Sequence, residues 1–447
     1  MKSIKKGGLN RRISLGLAGA KGGLGLLQAK AGSWLLPKDE QKAHTDKALE
    51  REANRFVEHI GELKGAYVKI GQMLALYGEH ILPTPVTNAL HTLEASTKPL
   101  EWAAVSPVLE EEWSETSLEQ LQVESEPIAA ASLSQVHRAD LDGEAVCIKI
   151  QYPGIADAIE DDFKNVMQML TLAKWVKSGR QLEQLTQNLK RYLMSEVDYS
   201  HELSTAQEVS VKLEGDQRYK VPNYFPEYST KKVLTMEYAE GYDVTHTKVQ
   251  ALSQERRNAI AEAMLELFFK EAFEWNLMQT DPNFGNYRII IDESKEKKDR
   301  LVLLDFGAVH ELEPAFSASL RKTILAAQAQ ELELVVEGLA EIGCLDKEDS
   351  DEVKHSFGEF CIYILEPFRT SFEGVPDHAL DGENYCWKNS NLLKRAGKLG
   401  TQQVLLKGFK VPPPEFMLMV RKLTGVFTFV SALDAKTNSS GLLQAYR

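Results

Sequence analysis

The sequence predicts an α+β chain of two lobes, a small strand-bearing unit followed by a larger helical one, with a helical extension ahead of both. Strand-type apolar runs gather between Pro127 and Gln151 and return at Val233–Tyr238. Apolar residues recur at three and four over Lys38–Gly78, Ile155–Val176, Leu182–Glu208 and Gln254–Phe273, the spacing of helices. These stretches do not alternate as βαβα, which argues against a doubly wound sheet.

In order along the chain, a glycine-rich head runs to about Ser33 and is punctuated by Pro37. Phe56, Ile60, Leu63, Tyr67, Ile70 and Leu74 mark the first helical face. Gly61, Gly65 and Gly71 weaken that helix, so another element must approach closely or the helix must break. Pro83, Pro85 and Pro99 mark connections, and an acidic stretch, Glu110–Glu126, precedes the strands. One strand is predicted over Pro127–Ala139 and another over Ala145–Gln151, joined by Asp142-Gly143 and closed by Pro153-Gly154. Tyr287–Ile291 and Leu301–Leu304 form a later pair around a charged turn. The remainder reads as helical, irregular near Thr370–Asn391 and broken at Pro412-Pro413-Pro414. The divisions expected are a basic tail (1–37), a helical extension (38–125), a strand-bearing lobe (126–240) and a helical lobe (241–447).

Composition narrows the function classes. The 447 residues are 43% hydrophobic and 26% charged, an ordinary globular balance. Residues 1–36 carry seven basic side chains and no acid, so a net charge of −13 leaves −20 for the rest. Such an acidic body disfavours broad nucleic-acid binding. The basic head suits a solvated tail or contact with anionic lipid, and an organellar (mitochondrial) leader stays open. No run reaches the 18 or so apolar residues of a spanning helix, and the four scattered cysteines match neither a disulfide framework nor a zinc spacing.

One constellation carries chemistry. Lys149 lies in the apolar run Val146–Ile150, where alternation puts it on one face with Cys147, and Ile148 and Ile150 on the other. A lysine there needs a partner for its charge. Upstream, the small residues Ala129, Ala130, Ala131 and Ser132 can let backbone approach phosphates. Asp281 and Asn286 stand five apart in Asp281-Pro282-Asn283-Phe284-Gly285-Asn286, and Asp305-Phe306-Gly307 closes an apolar strand. Oxygen ligands on two loops suit a hard divalent cation and the phosphates it bridges. A strand lysine, then Asp-x4-Asn, then strand-Asp-Phe-Gly predicts a bilobal protein-kinase-like fold with a nucleotide site.

Over most of 40–430 the chain resembles the ABC1/UbiB/ADCK (AarF-type) atypical kinase-like family. Lys69-Ile70-Gly71-Gln72 resembles its KxGQ motif, and Ala129–Ser132 its alanine-rich loop in place of a glycine-rich one. Val146–Lys149, Gln151–Gly154, Glu196-Val197-Asp198, Asp281–Asn286 and Asp305–Gly307 match further family motifs, with Glu202 a familiar acid nearby. Pro413–Phe416 and Arg421-Lys422-Leu423 are also familiar. The resemblance implies that Lys149 holds the ATP or ADP phosphates, paired with Glu196 or, failing that, Glu202. It implies Asn286 and Asp305 as Mg²⁺ ligands and Asp281 as base or nucleophile-positioning group. Met236, Glu237 and Ala239 would border the adenine, with Asp198 an additional acidic candidate. Lys69, Gly71 and Gln72 would belong to an extension covering the place of a peptide substrate. Asn283 and Phe284 depart from the usual His and Pro, and Cys147 replaces a common alanine.

The function implied is Mg²⁺-dependent phosphoryl transfer or ATP hydrolysis supporting isoprenoid-quinone (ubiquinone) biosynthesis. The implied partners are nucleotide, anionic lipid, and quinone-pathway intermediates or enzymes. The implied place is cytoplasmic, peripheral to the inner membrane. The alternative is a non-catalytic, nucleotide-responsive scaffold for lipid or enzymes; a conventional protein kinase is disfavoured by the alanine-rich loop and the KxGQ extension.

Overall fold

A computed structural model describes residues 38–447, apart from 64, 79–81, 94–98, 177–179, 295, 297 and 405–411. The expected basic tail lies outside the described residues. The chain forms two compact units. The first runs to Ser204 and takes in Asn223–Tyr238; the second comprises Thr205–Pro222 and Ala239–Arg447.

In the first unit an antiparallel sheet runs β1 (Leu121–Ala130), β2 (Ser134–Leu141), β3 (Glu144–Gln151) and β5 (Val233–Glu237), β4 (Tyr219–Lys220) belonging to the second unit. The predicted first strand is thus two. Its beginning, Leu121–Glu126, lies inside the acidic stretch, because an edge strand can turn acids to water. Register shifts on either side of Pro127 absorb the proline that a regular ladder would exclude. Asp142 (φ 52°) and Gly143 (φ 90°) turn β2 into β3, as the Asp-Gly pair predicts.

Val146, Ile148 and Ile150 pack on one face of β3 into the main core, with Ile60, Tyr67, Ile70 and Leu74 of the helices Lys38–Leu63 and Ala66–Tyr77. The helical extension and the strands therefore share one core. Both consequences expected of the glycines occur. Gly65 (φ 61°) breaks the helix, and at Gly71 a methyl would collide with Leu93. The stretch expected as one helix, Leu182–Glu208, is two, Arg180–Glu196 and Tyr199–Lys212. The break is made by polar capture: Gln151 donates to the carbonyl of Val197 at 2.6 Å, and Asp198 accepts from Ser200 N at 3.1 Å.

In the second unit, β4 pairs parallel with β8 (Arg300–Leu303), which pairs antiparallel with β7 (Tyr287–Ile290). Strands β6 (Leu277–Gln279) and β9 (Val309–Glu311) form a separate ladder. The helix Gln254–Phe269 ends in a π turn, Lys270–Glu274, where the sequence predicts helix to Phe273. The helix Pro414–Ala432 buries Phe427 against Trp387, which meets Phe368 edge-on. Within the expected irregular segment, Leu380–Asp381 and Asn384–Cys386 build a small sheet with Lys436–Thr437.

Candidate functional site

On β3, Lys149 faces away from the main core, as alternation requires. Cys147, Leu234, Met236 and Tyr199 form a smaller cluster, with Val136 and Tyr238 at its margin. Cys147 pairs across the sheet with Met236, and Lys149 with Leu234, so all four project from this face. Lys149 Nζ donates to both carboxylate oxygens of Glu202 at 2.9 Å and stands 5.0 Å from the Tyr199 ring. The lysine side chain is 16% exposed and the glutamate 1%, so the pair is largely withdrawn from water. The partner is Glu202, and not the Glu196 that the sequence favours. Glu196, the last residue of its helix, instead holds Lys69 at 2.6 Å. The interruption at Val197-Asp198 puts the two glutamates on different helices, which a single continuous helix would not.

The KxGQ helix is therefore tied to the helix that bears Glu196. Gln72 donates to the carbonyl of Leu93 at 3.3 Å, beside the contact that keeps Gly71 small. Asp198 serves as a local cap. Ala129 and Ala130 close β1 opposite Val136 and Gln135, and Ala131 N donates to Ser134 O at 2.8 Å, making a tight turn with Ser132 buried. Gln135 bonds both the amide and the carbonyl of Leu100, and His137 contacts the carbonyl of Glu124 at 2.7 Å. Burial lowers the His137 pKa and keeps the ring a neutral brace. Met236 is buried, Glu237 accepts from Asn223 N at 3.1 Å, and Ala239 begins the second unit's segment.

In the second unit Asp281, Asn286 and Asp305 come together through the β7–β8 pairing. Tyr287 lies opposite Leu303, and Leu304 N donates to Asn286 O at 3.0 Å, so Asn286 and Asp305 flank the end of one ladder. Asn286 Nδ2 donates to Asp281 O at 3.0 Å and to Asp281 Oδ2 at 3.2 Å, leaving its amide oxygen as the atom it can offer a cation. Asp305 Oδ1 accepts from Gly307 N at 2.9 Å. The Asn286 amide oxygen and the Asp305 carboxylate are hard oxygen donors of the kind that fits Mg²⁺. The departures at 283 and 284 are local substitutes: Asn283 Oδ1 accepts from Gly285 N at 3.0 Å, and Phe284 meets Phe429 edge-on.

Sequence reasoning missed what lies under this loop. Arg421 Nη2 donates to Asp281 Oδ1 at 3.1 Å, fixing the carboxylate's orientation. Beside it Lys422, fully buried, reaches Glu271 at 2.9 Å, Tyr287 OH at 3.2 Å and Gln279 at 3.5 Å. Gln279 in turn donates to Asp281 O at 2.8 Å. Burial opposes the Lys422 ammonium, but Glu271 and Tyr287 outweigh it and raise the pKa. One signal was present: Leu418, Lys422 and Val426 fall four apart on an otherwise apolar stripe.

The strand-bearing first unit, the helical second unit and the ordered lysine, Asp-x4-Asn and Asp-Phe-Gly motifs define a kinase-like protein of atypical type. The chain belongs to the ABC1/UbiB/ADCK family: the family model described as the ABC1 atypical kinase-like domain matches residues 92–339. It is 31% identical over 398 residues to the mitochondrial atypical kinase COQ8B of Rattus norvegicus, covering 88% of this chain and 72% of the relative. It is 29% identical over 407 residues to the mitochondrial atypical kinase COQ8 of Saccharomyces cerevisiae, covering 90% and 76%. A structure titled as the complex of Rv3197 with erythromycin, from Mycobacterium tuberculosis, shares the fold with TM-score 0.58 and 24% identity, over 91% of this chain and 97% of that one.

Proposed function

We propose that this protein binds MgATP or MgADP and acts as an atypical kinase or ATPase supporting isoprenoid-quinone (ubiquinone) biosynthesis. The observation that carries the nucleotide reading is the Lys149–Glu202 pair. A lysine held by both oxygens of a buried carboxylate is presented in a fixed direction, as phosphate recognition demands. Lys149 would hold the α- and β-phosphates, and Ala129–Ser132 would pass over them. Met236, Glu237 and Ala239 would border the base. Asp281, oriented by Arg421 and Asn286, would accept the proton of a hydroxyl or water as it attacks the γ-phosphorus. Asn286 and Asp305 would hold Mg²⁺, which when bound neutralises charge on the phosphate oxygens. The pathway comes from family resemblance. No helix among the described residues is long and apolar enough to cross a membrane, which is compatible with the peripheral association we propose through the basic head.

A second reading, a nucleotide-responsive scaffold, is favoured by the Lys69–Glu196 bridge. It ties the KxGQ helix to the chain segment leading into the Lys149–Glu202 pair, so nucleotide binding could repack that extension without transfer. The test measures MgATP turnover and MgADP affinity, with and without anionic vesicles and a quinone-precursor-like phenol. Asp281→Asn should abolish turnover with affinity kept, and Asp305→Asn should lose metal-supported binding. Turnover unchanged in both variants would end the catalytic reading. Binding without turnover under every condition would favour the scaffold. Full-length protein that ignores anionic vesicles would remove the membrane proposal.

A further inference from the structure

The sheet face that carries Lys149 bears a second cation. Arg138 on β2 pairs with Cys147 on β3, and Cys147 with Met236 on β5. Cross-strand partners project to the same side, so Arg138 stands on the face of Lys149, two residues along β2 from Val136, the partner of Lys149. That offset is roughly 6.6 Å at the rise of a strand. On the side toward Lys149 the face is small and apolar, made of Cys147, Leu234 and Met236. The Arg138 guanidinium lies over the Tyr238 ring, 4.7 Å from its centroid, while the residue as a whole stays exposed. Beyond it opens a cavity of about 460 Å³, lined by Gln122, Val123, Glu124, Ala139, Asp140 and Ala145 with Arg138 itself. The cation is thus seated against one aromatic ring, with open space beside it.

A guanidinium is planar, delocalised and weakly hydrated, and it stacks on aromatic faces where an ammonium would keep its water. It also has two flat sides, and Tyr238 can cover at most one of them. Resting on the reading that Met236–Ala239 border the base, we propose that Arg138 is a nucleobase clamp. Its second face stacks on the purine from the β2 side, and Tyr238 holds it ready. Lys149 recognises the phosphates and Arg138 the ring, so the two cations on one face divide the nucleotide. A purine offers the larger π surface, and the clamp therefore favours purines over pyrimidines.

The test uses the full-length protein and its Arg138→Leu, Arg138→Lys and Lys149→Ala variants, titrated with MgADP, MgCDP and Mg-tripolyphosphate. Thermal unfolding checks that each variant is folded. Wild type should prefer MgADP to MgCDP. Arg138→Leu should weaken MgADP roughly threefold to thirtyfold, the worth of one cation–aromatic contact, and leave tripolyphosphate within about twofold. Arg138→Lys should resemble Arg138→Leu, because charge without a plane does not stack. Lys149→Ala should weaken both ligands. MgADP affinity unchanged in Arg138→Leu would overturn the clamp and leave the nucleotide reading standing. Equal losses on MgADP and tripolyphosphate, or full rescue by lysine, would make Arg138 a mere charge and also overturn it. A wild type that binds no nucleotide would overturn the functional proposal itself, and the clamp with it.

Discussion

Replacing Lys422 by methionine removes the cation at the centre of the network under the Asp281 loop. Lys422 is 0% exposed and Glu271 7%, and the two lie 2.9 Å apart. Methionine fills much the same volume, so the cost is electrostatic: Glu271 stays buried with no opposing charge. Breaking a buried pair from one side costs about 3–5 kcal/mol. For a unit of this size that lowers the melting temperature by roughly 6–20 °C. Glu271→Leu should cost about as much, because it strands the ammonium. The double variant Lys422→Met/Glu271→Leu should regain most of that stability, since apolar replacements of a buried pair are often neutral. Function should not return with it, because Gln279 has lost the lysine that steadies its hold on the Asp281 carbonyl. Urea unfolding and MgATP turnover on the four proteins decide the matter. Single variants losing less than about 1 kcal/mol, or a double variant no more stable than either single, would refute a charge-balanced pair. A double variant with full turnover would refute the coupling through Gln279.

Four shorter expectations follow from other contacts. Glu202→Gln should weaken MgADP binding by roughly tenfold to a hundredfold, the worth of a charge-assisted hydrogen bond, whereas Glu196→Gln should change it far less; equal effects in a titration would contradict the observed pairing. Gly425→Ala should destabilise by about 1–3 kcal/mol, because its methyl would overlap Pro282 beside Asp281; a thermal scan matching wild type would show that the helix and loop can part. Burial pushes the Cys147 thiol up to about 11, against the pull of Arg138, so alkylation of the native protein should be slow at pH 8 and quicken toward pH 11. Since the folded chain holds that proton more tightly than an unfolded thiol near 8.5, the stability it contributes is complete below about pH 8.5 and is lost as pH rises through 11. Rapid labelling at pH 8 by mass spectrometry would refute both.

Much of this was legible in the chain because the signals were local. Alternation along Val146–Ile150 gives the two faces of β3, and Asp142-Gly143 gives the hairpin. The Asp281-x4-Asn286 spacing and the strand before Asp305 place Asn286 and Asp305 at adjacent strand ends. What failed depended on contacts remote in sequence. Which glutamate meets Lys149 turns on a helix break made by Gln151, 46 residues from the Val197 carbonyl it captures. The early start of β1 was hidden because edge position excuses acids that a central strand would reject. Lys422 was noted only as part of a familiar segment and given no role, although its place on an apolar stripe marks a buried charge; its partner Glu271 lies 151 residues away.

The parallel pairing of β4 with β8 sets a timetable for synthesis. Tyr219–Lys220 emerges from the ribosome about 80 residues before Arg300–Leu303, the strand it must join. At 5–20 residues per second that is a wait of ~4–16 s. During this interval Asn223–Tyr238 emerges and can complete the first unit's sheet, while Thr205–Pro222 still lacks its ladder. A nascent chain that has emerged as far as about residue 240 would thus carry a finished sheet and an orphaned strand, a form suited to capture by a chaperone.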